Sequence, residues 1–473
     1  LLQDMNHDGF ADIPAGRQYN FTNKYSYENP KKGFEAQFGG SYLKDERNGG
    51  QVKMMPGHHS DTLPLYQIGI DNEKWEVYSK TGFVFRKKPG TSAGLQLSYL
   101  NHDQNNFYGF HTYQGLQRTF YANLIYQGIL GSTNHTYKAG ASFMNDDVQE
   151  RYNKLNFQRL EQVAGVFTEY AYNYKEKFNL VTGLRADQHN YYGFFVTPRL
   201  HARYAFTPKS ILRFSGGRAL RTANIFTDNS YLMASSRTWL IRGEDGNLPY
   251  GLKPETGWNY GLNFTQRFSI NYRDAYVTLD VYRTDFTNQV VVDVDKNVNQ
   301  VHFYNLKGPS YSNTMQFEFN MEPRKRLFMK TAYRFVDTRM YYDNRLLEKP
   351  MVSRHRAFVN FAYETKDDHW QFDFTTQFNG SKRLPYTGDS PKIYRRDTRS
   401  PYFYNLLGQI TYLTKLGKAD FNVYLGVENL LNYKQADPIV SAGLPYNRYF
   451  DASMVWGPIY GRMLYLGLRL KMK

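Results

Sequence analysis

The sequence predicts an all-β protein, a transmembrane antiparallel β-barrel, and three observations carry that prediction. The last fifteen residues alternate in character. Leu464, Leu466, Leu468, Leu470 and Met472 share one face, and Met463, Tyr465, Gly467, Arg469 and Lys471 share the other, the period of two of a β-strand. Segments of this kind recur along the whole chain, joined alternately by short and long links. Finally, the mean hydropathy is −0.66, yet 17% of residues are aromatic, with 42 Tyr and 34 Phe. A sandwich has no reason to alternate its link lengths. An outer-membrane barrel does, because its periplasmic turns are short, its extracellular loops long, and its rims carry aromatic girdles.

The bulk numbers exclude other classes. The chain has 473 residues and no Cys, so disulfide frameworks and thiolate metal sites are ruled out. No run of eighteen apolar residues offers a transmembrane helix. The net charge of +16 is spread along the chain, with no basic helix or run to make a nucleic-acid footprint. Basic residues at strand ends are expected instead to meet the lipid and lipopolysaccharide headgroups of an outer membrane. No signal peptide stands at Leu1, and export needs one, so the start of the protein is expected to lie upstream.

Taken in order, residues 1–17 form a polar loop. Strands are predicted at 18–28 and 33–44 around an Asn-Pro-Lys-Lys turn, at 76–87 and 93–102 around Lys-Pro-Gly-Thr-Ser, and at 118–128 and 136–145. Further pairs follow at 163–174 with 177–188, 196–206 with 211–218, 256–268 with 275–286, and 313–321 with 327–337. The pairs 354–365 with 369–380 and 403–413 with 419–430 precede the C-terminal strand. Links rich in Pro, Gly and Lys are hairpin chemistry. Long loops are predicted at 45–75, 101–117, 146–162, 219–255, 287–312, 338–353, 381–402 and 431–458, with only 189–195 brief. Strand interiors agree: Trp370, Phe372, Phe374 and Phe378 oppose Gln371, Asp373, Gln377 and Asn379. Such polar faces are costly in a dry core and suit a wet lumen.

About nineteen strands result, whereas single-chain bacterial barrels hold an even number. Open strand edges in lipid cost several kcal/mol per unpaired group. Residues 1–473 are therefore expected to be a barrel domain lacking its first strands.

Several stretches carry a family likeness: Gly216-Gly217-Arg218-Ala219-Leu220-Arg221-Thr222-Ala223-Asn224-Ile225-Phe226, Leu252-Lys253-Pro254-Glu255-Thr256-Gly257-Trp258-Asn259-Tyr260, Val427-Glu428-Asn429-Leu430-Leu431-Asn432 and the C-terminal strand. With these the chain resembles the barrel of TonB-dependent outer-membrane transporters over essentially its full length. It departs from the family in ending on Lys473 rather than an aromatic residue, and in having Arg221-Thr222-Ala223 where an arginine–proline step is common. The resemblance implies a 22-stranded barrel around an N-terminal plug that this chain does not contain. It also implies energy-coupled uptake in a Gram-negative outer membrane, driven by TonB-ExbB-ExbD through the plug, and in some relatives a surface lipoprotein lid.

Candidate site residues follow. Asp4, Asn6, Asp8 and Asp12 place oxygen ligands at positions 1, 3, 5 and 9 of a calcium loop, with Gly9 at the sharp turn and the Phe10 carbonyl at 7. Position 12 is Ala15, so an EF-hand is excluded. A looser calcium loop is expected, against the plainer reading of an acidic loop tip. Calcium in loops of that region among cobalamin transporters of the family points to a cobalamin-like small-molecule ligand, with a ferric siderophore or haem as the alternative. Met54-Met55-Pro56-Gly57-His58-His59 offers soft donors in a solvated loop. Tyr108, Phe110, Tyr191, Tyr192 and Phe194 are loop candidates for stacking on the solute. Arg185, Arg213, Arg218 and Arg469 are expected to line the lumen and meet the plug. No Ser or His carries a nucleophile–base signature, so an enzyme is not expected. A passive porin or surface-binding barrel is the alternative of another class.

Overall fold

The computed structural model describes residues 3–52 and 63–472. The Met54–His59 donors lie outside the described residues. The chain runs through β1 (Ala15–Asn29), β2 (Phe34–Gly50), β3 (Gln67–Val84), β4 (Ser92–Tyr108), β5 (His111–Leu130), β6 (Ser132–Tyr152) and β7 (Leu155–Tyr174). It continues with β8 (Phe178–His189), β9 (Gly193–Thr207), β10 (Ser210–Arg221), a one-turn helix α1 (Ile225–Asp228) and β11 (Thr238–Ile241). Next come β12 (Glu255–Ile270), β13 (Arg273–Asn288), β14 (Val290–Asp293), β15 (Gln300–Asn305), β16 (Tyr311–Arg324), β17 (Leu327–Tyr342) and β18 (Arg345–Glu348). The last are β19 (His355–Glu364), β20 (Trp370–Asn379), β21 (Phe403–Leu416), β22 (Ala419–Glu428) and β23 (Met463–Lys471).

Twenty strands form one sheet. The short β18 folds back on β17 as a hairpin arm, which leaves nineteen full staves, each antiparallel to its neighbour in sequence. Among the described residues β1 pairs only with β2, and β23 only with β22. Among the described residues no helix is long and apolar enough to cross a membrane.

Alternation sorts each stave into a lipid face and a lumen face. On β7 the outer positions Ala164, Val166, Thr168, Tyr170 and Tyr172 pass from small and apolar to aromatic, while Phe167 and Glu169 face inward. The register carries that face across to Ala139, Ala141 and Phe143 of β6, and to Phe120, Leu124 and Tyr126 of β5. Aromatic rings also cover glycines on facing strands. Tyr424 lies opposite Gly467, and Tyr465 opposite Gly426. A Cβ added to either glycine would sit 2.1 Å from the facing ring.

The staves β2 to β7 are longer than predicted, at 17, 18, 17, 20, 21 and 20 residues. The expected loops 101–117 and 146–162 are mostly strand, closed by the tight turns at Gly109-Phe110 and Asn153-Lys154. The physical reason lies on the outer face. Above Ala164 it becomes Gln162, Leu160, Gln158 and Asn156. The outer face is then mostly polar and the inner one carries Arg159 and Glu161, so the period-two hydropathy signal vanishes although backbone pairing continues.

Long connections do occur after β10, β13, β20 and β22, and they are folded. β11 runs parallel to β15, and β15 antiparallel to β14, giving a separate three-stranded sheet. Ile225, Phe226, Leu232, Met233, Trp239, Leu252, Val301, Phe303 and Phe450 from these connections are buried with Phe10, Tyr66, Tyr108, Tyr113 and Tyr152. The extracellular end thus carries a cap with its own aromatic core. Phe226 stacks on Trp239 at 5.4 Å, and Trp239 packs on Tyr152 at 5.0 Å. Arg237 and Asp451, both buried, join two connections at 3.0 Å.

Candidate functional site at the outer mouth

Where the cap meets the inner wall, β6, β7 and the β10–β12 connection meet at one guanidinium, and β5 and β8 reach its carboxylate partners. Arg159 and Glu161 are two apart on β7 and face inward together, as do Glu150 on β6 and His189 at the end of β8. All four are buried. Arg159 donates to Glu161 at 2.7 Å and to the Tyr250 hydroxyl at 2.6 Å, approaches Glu150 at 3.5 Å, and reaches Asn224. Glu150 accepts from Tyr113 at 2.9 Å and from Tyr250. Glu161 accepts from Thr222 at 2.9 Å and lies 3.3 Å from His189 Nε2. A Tyr191 backbone N–H is donated to His189 Nδ1 at 3.1 Å, which leaves Nε2 to carry the proton toward Glu161.

The network therefore ties the β10–β12 connection to the wall. Tyr250 reaches it from a left-handed backbone, φ 55°, followed by Gly251 at φ 74°. For a bulky residue that conformation costs about 1 kcal/mol or more, offset here by the two hydrogen bonds it allows. Burial opposes ionisation of Glu161, but the bond from His189 and the Arg159 charge outweigh it, holding the carboxyl below its ordinary value.

Beneath the cap lies a cavity of about 370 Å³ lined by Asp146, Arg159, Glu161, Arg185, Asp187 and Arg199. Arg185 is held by Asp187 at 2.6 Å and by the Ser142 hydroxyl at 2.8 Å. Arg199 has no ion-pair partner among the described residues. The wall can exchange hydrogen bonds with a polar solute while keeping water in the passage.

The residues proposed for the lumen divide. Arg185, Arg213 and Arg469 face inward; Arg213 donates to Asn263 at 2.8 Å, and Arg469 stands over the Tyr424 ring at 5.9 Å. Arg218 does not join them. It lies five residues from Arg213 on a regular stretch of β10, which reverses its face and sets it opposite Trp258, on the side of Phe214 and Leu262.

The proposed stacking aromatics fall in two places. Tyr108 is a buried strand end, not a loop residue, and Phe110 is 63% exposed and stacks on Tyr446 at 4.4 Å. Tyr191 and Tyr192 form the β8–β9 turn. The Tyr191 hydroxyl accepts the Leu160 N–H at 3.1 Å, and Tyr192 packs on His189 at 4.5 Å, its phenol pushed up to about 12 chiefly by burial. Phe194 is 68% exposed on the outer face of β9.

In the acidic loop, the donors are spent on the loop itself. Asp4 accepts from the Asp8 and Gly9 N–H groups at 3.1 Å, Asn6 from Asp8 at 3.0 Å, Asp8 from Phe10 at 2.9 Å, and Asp12 from Met5 at 2.6 Å. Among the described residues no group of three or more His, Cys, Asp or Glu side chains is arranged to hold a metal ion. Asx turns hold the loop, and the neighbouring carboxylates add to the burial that raises Asp8 and Asp12. Phe10 serves the cap core, 5.9 Å from Phe450.

A lipid-belted sheet of staves around a charged lumen, topped by folded loops, defines the barrel of an outer-membrane receptor. The chain belongs to the TonB-dependent receptor-like β-barrel family, whose model matches residues 4–452. That family is one of non-enzymatic transporters in the outer membrane of Gram-negative bacteria. No curated protein matches the sequence. Similar solved structures include FpvA of P. aeruginosa bound to heterologous pyoverdines, with a TM-score of 0.67 at 11% identity, covering 99% of this chain and 66% of that one. The ferric-catecholate import receptor Fiu of E. coli K12 gives 0.66 at 10% identity over 97% of this chain and 75% of its own. The Serratia marcescens hemophore receptor HasR, in complex with HasA and heme, gives 0.63 at 11% identity over 96% and 71%. The chain thus spans just under two thirds of FpvA. These likenesses establish the fold.

Proposed function

We propose that this chain is the wall of an energy-coupled importer for a ferric siderophore or haem. The observation that carries the importer reading is the family match over residues 4–452. The choice of an iron chelate over cobalamin is supported by the neighbours, whose names specify pyoverdine, ferric catecholate and heme. The sequence-based preference for cobalamin rested on the calcium loop, and among the described residues no group of three or more His, Cys, Asp or Glu side chains supports it. In this reading, further strands close the edges at β1 and β23, a plug fills the lumen, and TonB-ExbB-ExbD acts through the plug. A surface lipoprotein or other partner engages the cap.

The test uses the full-length protein in detergent, titrated separately with ferric pyoverdine, a ferric catecholate, haem and cyanocobalamin while tryptophan fluorescence is followed. Submicromolar quenching by one of the iron compounds alone is the expected result. Tight binding of cyanocobalamin would overturn it.

A further inference from the structure

On β4 to β7 the outward face continues well above the lipid belt, and its chemistry changes there. From Ala164 to Asn156 is eight residues; at about 3.3 Å per residue and the usual tilt of a barrel strand, that face rises roughly 20 Å beyond the hydrocarbon. In place of Leu124, Phe143 and Val166 it presents Asn105, Gln114, Gln149, Arg151, Asn156 and Gln158. These six, from four adjacent staves, line one shallow hollow of about 590 Å³. Asn105, Gln114, Asn156 and Gln158 make no side-chain hydrogen bond among the described residues, so their amides stand free. Leu116 lies half-buried in the same hollow as its one outward apolar side chain.

We propose that this hollow is a saccharide-binding surface, occupied by the oligosaccharide headgroup of the glycolipid in the surrounding outer leaflet. A primary amide offers an acceptor and two donors in one plane, which matches a pair of neighbouring sugar hydroxyls. Leu116 supplies a patch for the C–H face of a ring. Asp103 and Arg151 balance each other's charge at the hollow's rim, which favours a hydroxyl-rich ligand over a phosphate. The surface is continuous with the lipid belt on the same staves. A headgroup whose acyl chains lie against Leu124, Phe143 and Val166 is therefore already beside it, and tethering raises its local concentration without any new contact. A soluble glycan has the same hydroxyl chemistry but lacks that tether.

The experiment compares the full-length protein with Gln114→Ala/Asn156→Ala/Gln158→Ala, both checked for a folded barrel by heat-modifiable mobility in electrophoresis. Each is incubated in detergent with whole lipopolysaccharide, with its sugarless lipid anchor, or with the free oligosaccharide, then washed, and the retained ligand is measured by mass spectrometry. The expected result is about tenfold less whole glycolipid on the triple variant, with anchor retention equal on the two proteins. Equal retention of whole glycolipid by both, or anchor retained as well as whole glycolipid by the wild type, overturns the proposal. Free oligosaccharide binding as tightly as the glycolipid overturns the tethered source in favour of a soluble glycan. If the triple variant does not fold, Gln158→Glu alone carries the same comparison, since an added carboxylate beside neutral sugars removes two donors.

Discussion

Replacing Arg159 with Met removes the buried cation at the centre of the network that ties the β10–β12 connection to the wall, leaving the exposed Arg221–Asp228 pair. Two buried carboxylates, Glu150 and Glu161, lose their counter-charge, and Tyr250 and Asn224 lose a donor. Breaking a buried pair from one side costs about 3–5 kcal/mol. The lower end applies here. Glu150 keeps the Tyr113 and Tyr250 hydroxyls, and Glu161 keeps Thr222 and His189. A loss of ~3 kcal/mol falls on local opening of residues 222–250, raising the open population roughly 100-fold. Hydrogen exchange of the full-length protein in detergent reads this directly: amides of 222–250 should exchange roughly 100-fold faster while those of β12 and β13 hold their rates. Arg159→Lys, a point charge in place of a fork, should recover only part of the protection. Unchanged exchange over 222–250 in the Met variant would refute the idea that this network anchors the cap.

Other outcomes follow from the same structure. Gly467→Val pushes a side chain into the Tyr424 ring and should destabilise the barrel by about 1–3 kcal/mol in urea unfolding. Gly82→Val, whose nearest neighbour would be 3.9 Å away, is the tolerated control. Acid should act oppositely on two regions. The depressed Glu161 carboxyl stabilises the cap above the ordinary carboxylate range, and that contribution is lost as pH falls through its folded value. Asp8 and Asp12 are raised, chiefly by burial, so their loop gains stability as pH falls through their folded values. Protection factors, with the intrinsic pH dependence of exchange divided out, should therefore fall in 222–250 and rise in residues 3–12 down a pH series. Calcium added to millimolar levels should leave proteolysis of the Asp4–Asp12 loop unchanged; protection reversed by a chelator would show that the Asx turns rearrange around an ion.

The staves were legible wherever one face met lipid. Trp370, Phe372 and Phe374 against Gln371 and Asp373 need no other information. The signal failed where solvent or cap replaced lipid. Arg159 and Glu161 lie in a stretch whose outer positions, Gln158, Leu160 and Gln162, are mixed, so it reads as loop. Extending the parity of β7 upward from Val166 would have put both charges on the inner face, the one that Glu150 and His189 share on the neighbouring strands. The cap's core was not legible because its members, from Phe10 to Phe450, come from connections with no period. Arg218 shows the converse: a charge within a strand is assigned to the lumen by type, and only register reveals its face.

The staves differ in length, and that has a mechanical meaning. β2 and β3 share seventeen paired positions, whereas β22 and β23 share nine. Force applied along a strand loads all of its cross-strand bonds in shear at once, so rupture resistance grows with the number paired. A barrel pulled from its periplasmic side would then be stiff along β2 to β7 and compliant along β19 to β23. The folded connections after β20 and β22 stand on the compliant arc, so strain in the wall would be felt first at that part of the mouth.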